Sequence, residues 1–306
     1  MIHGILVVNK ERGCTSHQVV AGLRRILRQS AIGHTGTLDP EATGVLVVGL
    51  GEATRSFQFL DERVKLYRAE VILGRSTDTQ DASGKTLAEE TGMRISRADI
   101  DSATRKLTGA IEQLPPMYSA VKVNGKKLYD LARQGIEVER RSRKITVFKW
   151  ENTFSGEHFS YLDSFWAEIT CSKGTYIRTL IHDLGKLLSC GAHMGSLVRL
   201  QSGNFGLEES LTLSEIERYH CEGRLAEHLI GLDEALAHLE RLAPEETDLD
   251  KLRHGGKLSY GKYPLPVPPG SFVRATDRNS RLIAILCLKT TEDRLYWQPV
   301  KVFNVL

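Results

Sequence analysis

Long apolar runs are missing from this 306-residue chain. Its longest aliphatic stretches, ILVV at 5–8 and VLVV at 45–48, fall far short of the roughly 20 apolar residues a membrane-spanning helix needs, so no transmembrane segment is expected. The N-terminal ILVV runs at once into Asn9 and Lys10, without the charged leader and long apolar region of a secretory signal, and a cytoplasmic protein is expected. Cysteine is scarce and scattered. Cys14, Cys171, Cys190, Cys221 and Cys287 are odd in number and form no CxxC pair, and no HExxH occurs, so neither a disulfide framework nor a zinc site is suggested. They read as buried or inert thiols. Neither GxxxxGKS/T nor GxGxxG is present, which leaves nucleotide binding without support. What remains, 41% hydrophobic and 26% charged residues, is the composition of a globular chain, long enough for one substantial domain and a smaller second one.

The formal net charge of +3 conceals a segregation. Residues 119–150 hold nine Lys/Arg against three Asp/Glu, residues 205–250 three against thirteen, and residues 251–306 ten against three. Two basic stretches separated by an acidic one suit a common anionic partner, for which a phosphate backbone is the usual candidate. A solvated charged surface is the alternative that the counts alone leave open.

The pattern is mixed α and β, without a repeat of 20–50 residues. A strand at 4–9 precedes a helix from Ser16, whose Val19, Val20, Leu23, Ile26 and Leu27 have the spacing of one buried face. The VLVVGLG segment reads as a strand, and Tyr67, Ala69, Val71 and Leu73 alternate with Arg68, Glu70 and Ile72 as a half-buried strand does. Ser96 and Asp99 form an N-terminal box for a helix carrying Ile100, Ala103 and Leu107. A strand at about 161–171 turns into a helix lined by Ile177, Leu180, Ile181, Leu184, Leu187 and Leu188, which Gly191 ends. Near residue 243 the character changes. Five of the nine prolines lie at or beyond 264, and the runs RLIAILCLK and LYWQPVKVF suggest a small β domain that must lean on the larger one.

Chemistry concentrates in GHTGTLDPEATGVLVVGLG, residues 33–51. Gly33, Gly36 and Gly44 permit sharp backbone, and Pro40 disfavours a helical Asp39, so Asp39 sits on a shaped loop. On these residues alone it could equally cap a turn.

This loop resembles the second motif of the TruB family of tRNA pseudouridine synthases, bacterial enzymes that isomerise uridine 55 in the T loop of tRNA. HGILVVNKERGCTSHQVV is similar to the family's opening motif, KLYRAEVILGRSTDTQDASG to its tyrosine strand, and QLPPMYSAVKVNGKKLYDLARQGIEVER to its RNA-gripping insertion. CSKGTYIRTLIHDLGKLLSCGAHMGSLVRL resembles its arginine motif, and the last sixty residues, with LRHGGKL and PVKVF, resemble its PUA domain more weakly. The motifs follow family order across nearly the whole chain. The resemblance implies an α+β fold: a catalytic domain over 1–242, with a mixed, largely antiparallel sheet, flanking helices and an insertion at about 119–150, and a small PUA-like β domain over 243–306. It implies Asp39 as the catalytic aspartate, Tyr67 as the aromatic residue against the target base and Arg178 as the partner of Asp39. His34 matches the histidine that assists base extrusion, Leu197 a pocket-lining leucine and Asp81 a supporting polar residue. Lys10, Lys122, Lys126, Lys127, Arg133 and Arg141 are expected RNA contacts, with Arg140, Arg143 and Lys144 as further candidates. Glu11 departs from the family's usual proline, and Val198 and Leu200 from its LRRT run, which puts the local shape of those turns in question.

The implied reaction breaks the bond from uracil N1 to the ribose, turns the base and rejoins it through C5, with no change in composition. No metal or cofactor is expected. Chemistry at C1′ needs a group that attacks the sugar or removes a proton from it, and a carboxylate can do either. An opposite charge favours its ionised form, the role assigned to Arg178. The expected partner is tRNA, through its T stem-loop, with no membrane and no obligate protein partner. A guide-RNA-dependent relative and a non-catalytic tRNA-folding protein are the alternatives.

Overall fold

The computed structural model describes residues 1–119, 122–123, 125–132, 134–136, 138–291 and 294–304, with the backbone alone for Lys122, Val123, Lys126, Lys127 and Asp130. The chain divides into two compact units. One comprises Met1–Asp39, Val45–Asp61 and Asn204–Leu306, the other Pro40–Gly44 and Glu62–Gly203.

The first unit opens with β1 (Gly4–Lys10), α1 (Ser16–Leu27), β2 (Ile32–Thr35) and β3 (Thr43–Leu50). Helix α1 begins where the sequence implies. Thr15 is the N-cap, its hydroxyl accepting from Gln18 N (3.1 Å) while Gln18 Oε1 accepts from Thr15 N (2.7 Å), a capping box that satisfies two otherwise orphaned N–H groups. β1 and β3 are neighbours and are buried on both faces. Leu6, Val8, Leu46 and Val48 pack with Val19, Val20 and Leu23 of α1, while Ile5, Val7, Val45 and Val47 pack in a second cluster. Two-sided burial is why these strands read as continuous aliphatic runs instead of alternating patterns.

The second unit is built on an antiparallel sheet. β4 (Val64–Leu73) lies between β7 (Ser164–Ser172) and β8 (Ala192–Ser202), and β6 (Arg143–Thr153) joins β7 to β5 (Gly109–Gln113). Thr43 and Gly44, at the start of β3, pair in parallel with Val198 and Arg199 of β8, which makes the pairing mixed. Gly44 permits this approach. Its φ is +96°, and a Cβ there would lie 2.3 Å from the Arg199 carbonyl oxygen. Helix α2 (Arg97–Lys106) carries the Ser96–Asp99 capping box, and α3 (Ile177–Leu187) buries Ile177, Leu180, Ile181 and Leu184. Two boundaries differ from the sequence reading. β7 starts at Ser164 because residues 160–163 form a turn, in which Asp163 accepts from Ser160 N and Leu162 has a φ of +63°. Helix α3 stops at Leu187, before Gly191, because Ser189 already has a left-handed φ of +56°.

The first unit resumes with α4 (Leu213–Cys221) and ends in a five-stranded sheet flanked by α5 (Glu246–Arg253). That sheet orders β9 (Glu240–Leu242), β11 (Phe272–Thr276), β12 (Leu282–Thr291), β13 (Arg294–Val302) and β10 (Leu258–Ser259). Leu282, Ile285 and Phe303 from this end join the cluster of Ile5, Val7, Val45 and Val47, so the small sheet does lean on the larger core. Among the described residues no helix is long and apolar enough to cross a membrane.

Candidate active site

In the first unit, the loop from Gly33 to Asp39 is held by the start of α1. The Ser16 hydroxyl, buried at the first position of the helix, accepts from Leu38 N (3.0 Å) and donates to Leu38 O (3.2 Å). Leu38 is itself buried, which leaves Asp39 half-buried at the end of a clamped loop. Gly36 has a φ of +68°. His34 stands within 3.3 Å of Thr37 Oγ1 through Nε2, and its ring meets that of His17 edge-on at 5.3 Å. Lys10 lies deeper than an RNA contact would. It is fully buried, and its ammonium donates to the carbonyls of Glu11 (3.0 Å) and Cys14 (2.7 Å), closing the turn between β1 and α1. That turn is held through backbone carbonyls, one of them that of Glu11.

In the second unit, β4 alternates as the sequence implies, and its buried face carries Tyr67, 7% exposed. Leu197 is buried on the neighbouring β8, opposite Ala69. Arg178, second residue of α3 and 4% exposed, is gripped by the loop after β4 and by the segment after β5. Its Nη1 donates to Thr79 O (3.0 Å) and stands 3.7 Å from Asp81 Oδ2, and its Nη2 donates to Tyr118 O (2.9 Å). Asp81 divides its two oxygens. Oδ1 accepts from Thr79 Oγ1, Ser83 N and Ser83 Oγ (2.7, 3.0 and 2.6 Å), which fixes the loop and turns Oδ2 to the guanidinium. The same loop is docked on α3 by Thr179 Oγ1, which donates to Gln80 Oε1 (2.7 Å), and on β8 by Met194 N, which donates to Gln80 O. Arg178, Asp81, Tyr67 and Leu197 thus belong to one unit, and Asp39, His34 and Lys10 to the other.

The basic insertion sorts into two groups. Arg140 donates to Pro115 O (3.0 Å), and the Arg143 guanidinium lies 4.7 Å from the ring centroid of Tyr176, the N-cap of α3, so both help to hold the segment. Arg141 and Lys144 are exposed. Lys122, Lys126 and Lys127 are placed by a two-stranded hairpin, Lys122–Val123 with Lys126–Lys127, and Arg133 lies outside the described residues. Among the described residues no group of three or more His, Cys, Asp or Glu is placed to hold a metal.

Two buried cations escaped the sequence reading. Lys65 is 7% exposed and Arg199 1%, both on the Tyr67 face of the sheet. Burial and the nearby Arg199 push the Lys65 ammonium down to about 8. The available signal was the period-two alternation, which extends back from Tyr67 to Lys65.

Family models and known relatives match nearly the whole chain. A model of the N-terminal domain of TruB family pseudouridylate synthases matches residues 24–177, and one of the C-terminal domain of tRNA pseudouridylate synthase B matches residues 178–242. A tRNA pseudouridine synthase B of Bacillus pumilus is 45% identical over 99% of this chain and 98% of its own. One of Geobacillus thermodenitrificans is 47% identical over 83% of this chain and 85% of its own. Among solved structures, a Cbf5–Nop10–Gar1 complex contains a chain matched at a TM-score of 0.74 and 27% identity, over 98% of this chain and 84% of that one. An H/ACA ribonucleoprotein bound to a substrate RNA containing 2′-deoxyuridine shares the fold at a TM-score of 0.75 and 24% identity, over 99% and 85%. With contiguous family models from 24 to 242 and a relative at 45% identity over nearly the full length of both proteins, the chain belongs to the TruB family of pseudouridylate synthases.

Proposed function

We propose that this chain isomerises uridine 55 in the T loop of tRNA to pseudouridine, in the cytoplasm and without a cofactor, metal or protein partner. The observation that carries the reading is the full-length similarity to relatives named tRNA pseudouridine synthase B, in a chain that retains the aspartate, tyrosine and arginine of the family motifs. Residues 1–242 supply the catalytic part and 243–306 a PUA-like RNA-binding part.

The target base is stacked in an RNA fold, and extruding it costs about a few kcal/mol. His34 and Tyr67 offer flat surfaces that replace the lost stacking, and Leu197 lines the pocket for the base. Asp39 then acts at C1′, either by bonding to it or by removing a proton from the sugar, and the Arg178 guanidinium favours its ionised form. The grip of Thr79 O and Tyr118 O on Arg178 supports this role, since a planar guanidinium fixed at both Nη atoms is pre-oriented for a carboxylate. In the insertion, the exposed Arg141 and Lys144 contact phosphates, as do Lys122, Lys126, Lys127 and Arg133. Lys10 serves by closing the turn that leads into α1. The purified chain, incubated with an unmodified tRNA transcript, produces pseudouridine at position 55 and none when cytidine stands there. Absence of product at that position, or product elsewhere on the transcript, contradicts the proposal.

A further inference from the structure

Helix α3 starts differently from α1, α2 and α4. In those three the N-cap and the third helical residue close a capping box, Thr15 with Gln18, Ser96 with Asp99 and Thr212 with Glu215. The N-cap of α3 is Tyr176, whose side chain makes no cap, and its third residue, Thr179, donates its hydroxyl to Gln80. The bond that a capping box supplies to the N-cap N–H comes here from a distant strand. Gln113, last residue of β5 and 1% exposed, accepts from Tyr176 N through Oε1 (2.8 Å) and donates to Tyr176 O through Nε2 (3.0 Å), so its whole amide is fitted to the backbone of one residue. Arg143, which pairs with Gln113 at the first position of β6, holds its guanidinium over the Tyr176 ring. From Gln113 the chain runs on to Tyr118, whose carbonyl accepts from Arg178 Nη2. Residues 113–118 therefore fix both the root of Arg178, through Tyr176 two positions before it, and the tip of its guanidinium. The returning end of the insertion is tied to the same stretch, by Ser142 Oγ donating to Glu112 Oε2 (2.9 Å) and by Arg140 donating to Pro115 O (3.0 Å).

We infer that Gln113 is a positioning residue for Arg178: from the base of the RNA-gripping insertion it sets where α3 begins, and with that the place of the guanidinium. The inference rests on the reading of Arg178 as the partner of the catalytic carboxylate. A buried glutamine gives up water and rotamer freedom, which two neutral hydrogen bonds outweigh only modestly, so the pairing adds little to stability. What it fixes is geometry. An amide that accepts and donates at one residue locks that residue's position and tilt, whereas an N-cap bonded to water leaves the first helical turn free to fray. A displacement of about 1 Å in a group that acts on the reacting centre can slow a reaction by about a hundredfold. Gln113 and Arg143 also bound the insertion at its two ends, so docking of the insertion on RNA and placement of Arg178 share one anchor.

The test is a double-variant cycle on an unmodified tRNA transcript, reading single-turnover rate at saturating enzyme, tRNA affinity and unfolding midpoint for the wild type, Gln113→Met, Arg178→Lys and the two combined. Methionine keeps the length and volume of the side chain and neither hydrogen bond. Gln113→Met should turn over about tenfold or more slowly while binding tRNA within about twofold, and in the Arg178→Lys background it should slow the rate by no more than about twofold. A side chain that only supported the fold would slow both backgrounds alike. Equal slowing in the two backgrounds therefore overturns the inference, as does a loss confined to tRNA affinity, or a folded Gln113→Met within about threefold of wild type. If Gln113→Met does not fold, Gln113→Asn, whose amide falls one methylene short of Tyr176, is read in its place with the same expected pattern. Failure of both variants to fold also overturns it, since the amide would then hold the domain and not the arginine. An Arg178→Lys single variant within about tenfold of wild type would instead mean that the reading of Arg178 beneath this inference has failed.

Discussion

Arg178 donates to two backbone carbonyls, those of Thr79 and Tyr118, with Asp81 Oδ2 at a longer 3.7 Å. The distinction matters because a carbonyl pair demands a planar fork. Lysine at this position keeps the charge but presents a single ammonium, which cannot meet both carbonyls and also point toward a carboxylate. Arg178→Lys should reduce single-turnover tritium release from C5-labelled tRNA by about a hundredfold or more, with tRNA affinity kept within a few fold. A lysine variant within about tenfold of wild type would show that charge alone suffices there. Residues of this kind were only half legible in the sequence. Arg178 could be named from its motif, but the carbonyls that hold it come from residues 79 and 118, brought to α3 by two separate loops. Lys10 reads in the sequence as an RNA contact, and in the structure it is buried, its ammonium donating to two backbone carbonyls.

At the level of elements, the close parallel contact between Gly44 and Arg199 leaves no room for a side chain. Gly44→Ala places a Cβ against the Arg199 carbonyl at a φ of +96°, so strand pairing must shift. The cost is about 3 kcal/mol or more, which should appear as a lowered unfolding midpoint and lost turnover. A midpoint equal to wild type would show that the strands separate there at little cost. Local elements were largely legible because their signals are local. The Ser96–Asp99 box, the buried stripe of α1 and the alternation of β4 each express a period or a cap contained in a few residues. What the sequence hid was set by tertiary pairing. Arg199 lies on the buried face where β8 pairs it with Tyr67 of β4, and Arg143 is drawn from the basic surface by the ring of Tyr176.

Across the whole molecule, charge segregation and the placement of the basic insertion bear on RNA affinity. Arg140 and Arg143 hold the segment, while Arg141 and Lys144 are exposed, and the proposed function has these two meet phosphate. Each phosphate contact contributes roughly 0.7–0.9 to the slope of log affinity against log salt, so the Arg141→Ala, Lys144→Ala double variant should flatten that slope by about 1.5. An unchanged slope would move the RNA path elsewhere. The two units are also discontinuous in sequence, one of them taking residues 1–39, 45–61 and 204–306, an organisation that composition shifts along the chain could not reveal. The central claim is that the Asp39 carboxylate performs the chemistry on an extruded uridine. It is tested most directly by tritium release from tRNA labelled at uridine C5, measured with Asp39→Asn under single turnover alongside its tRNA affinity. The prediction is no release above background with affinity within a few fold of wild type, whereas appreciable release from the asparagine variant would contradict the account.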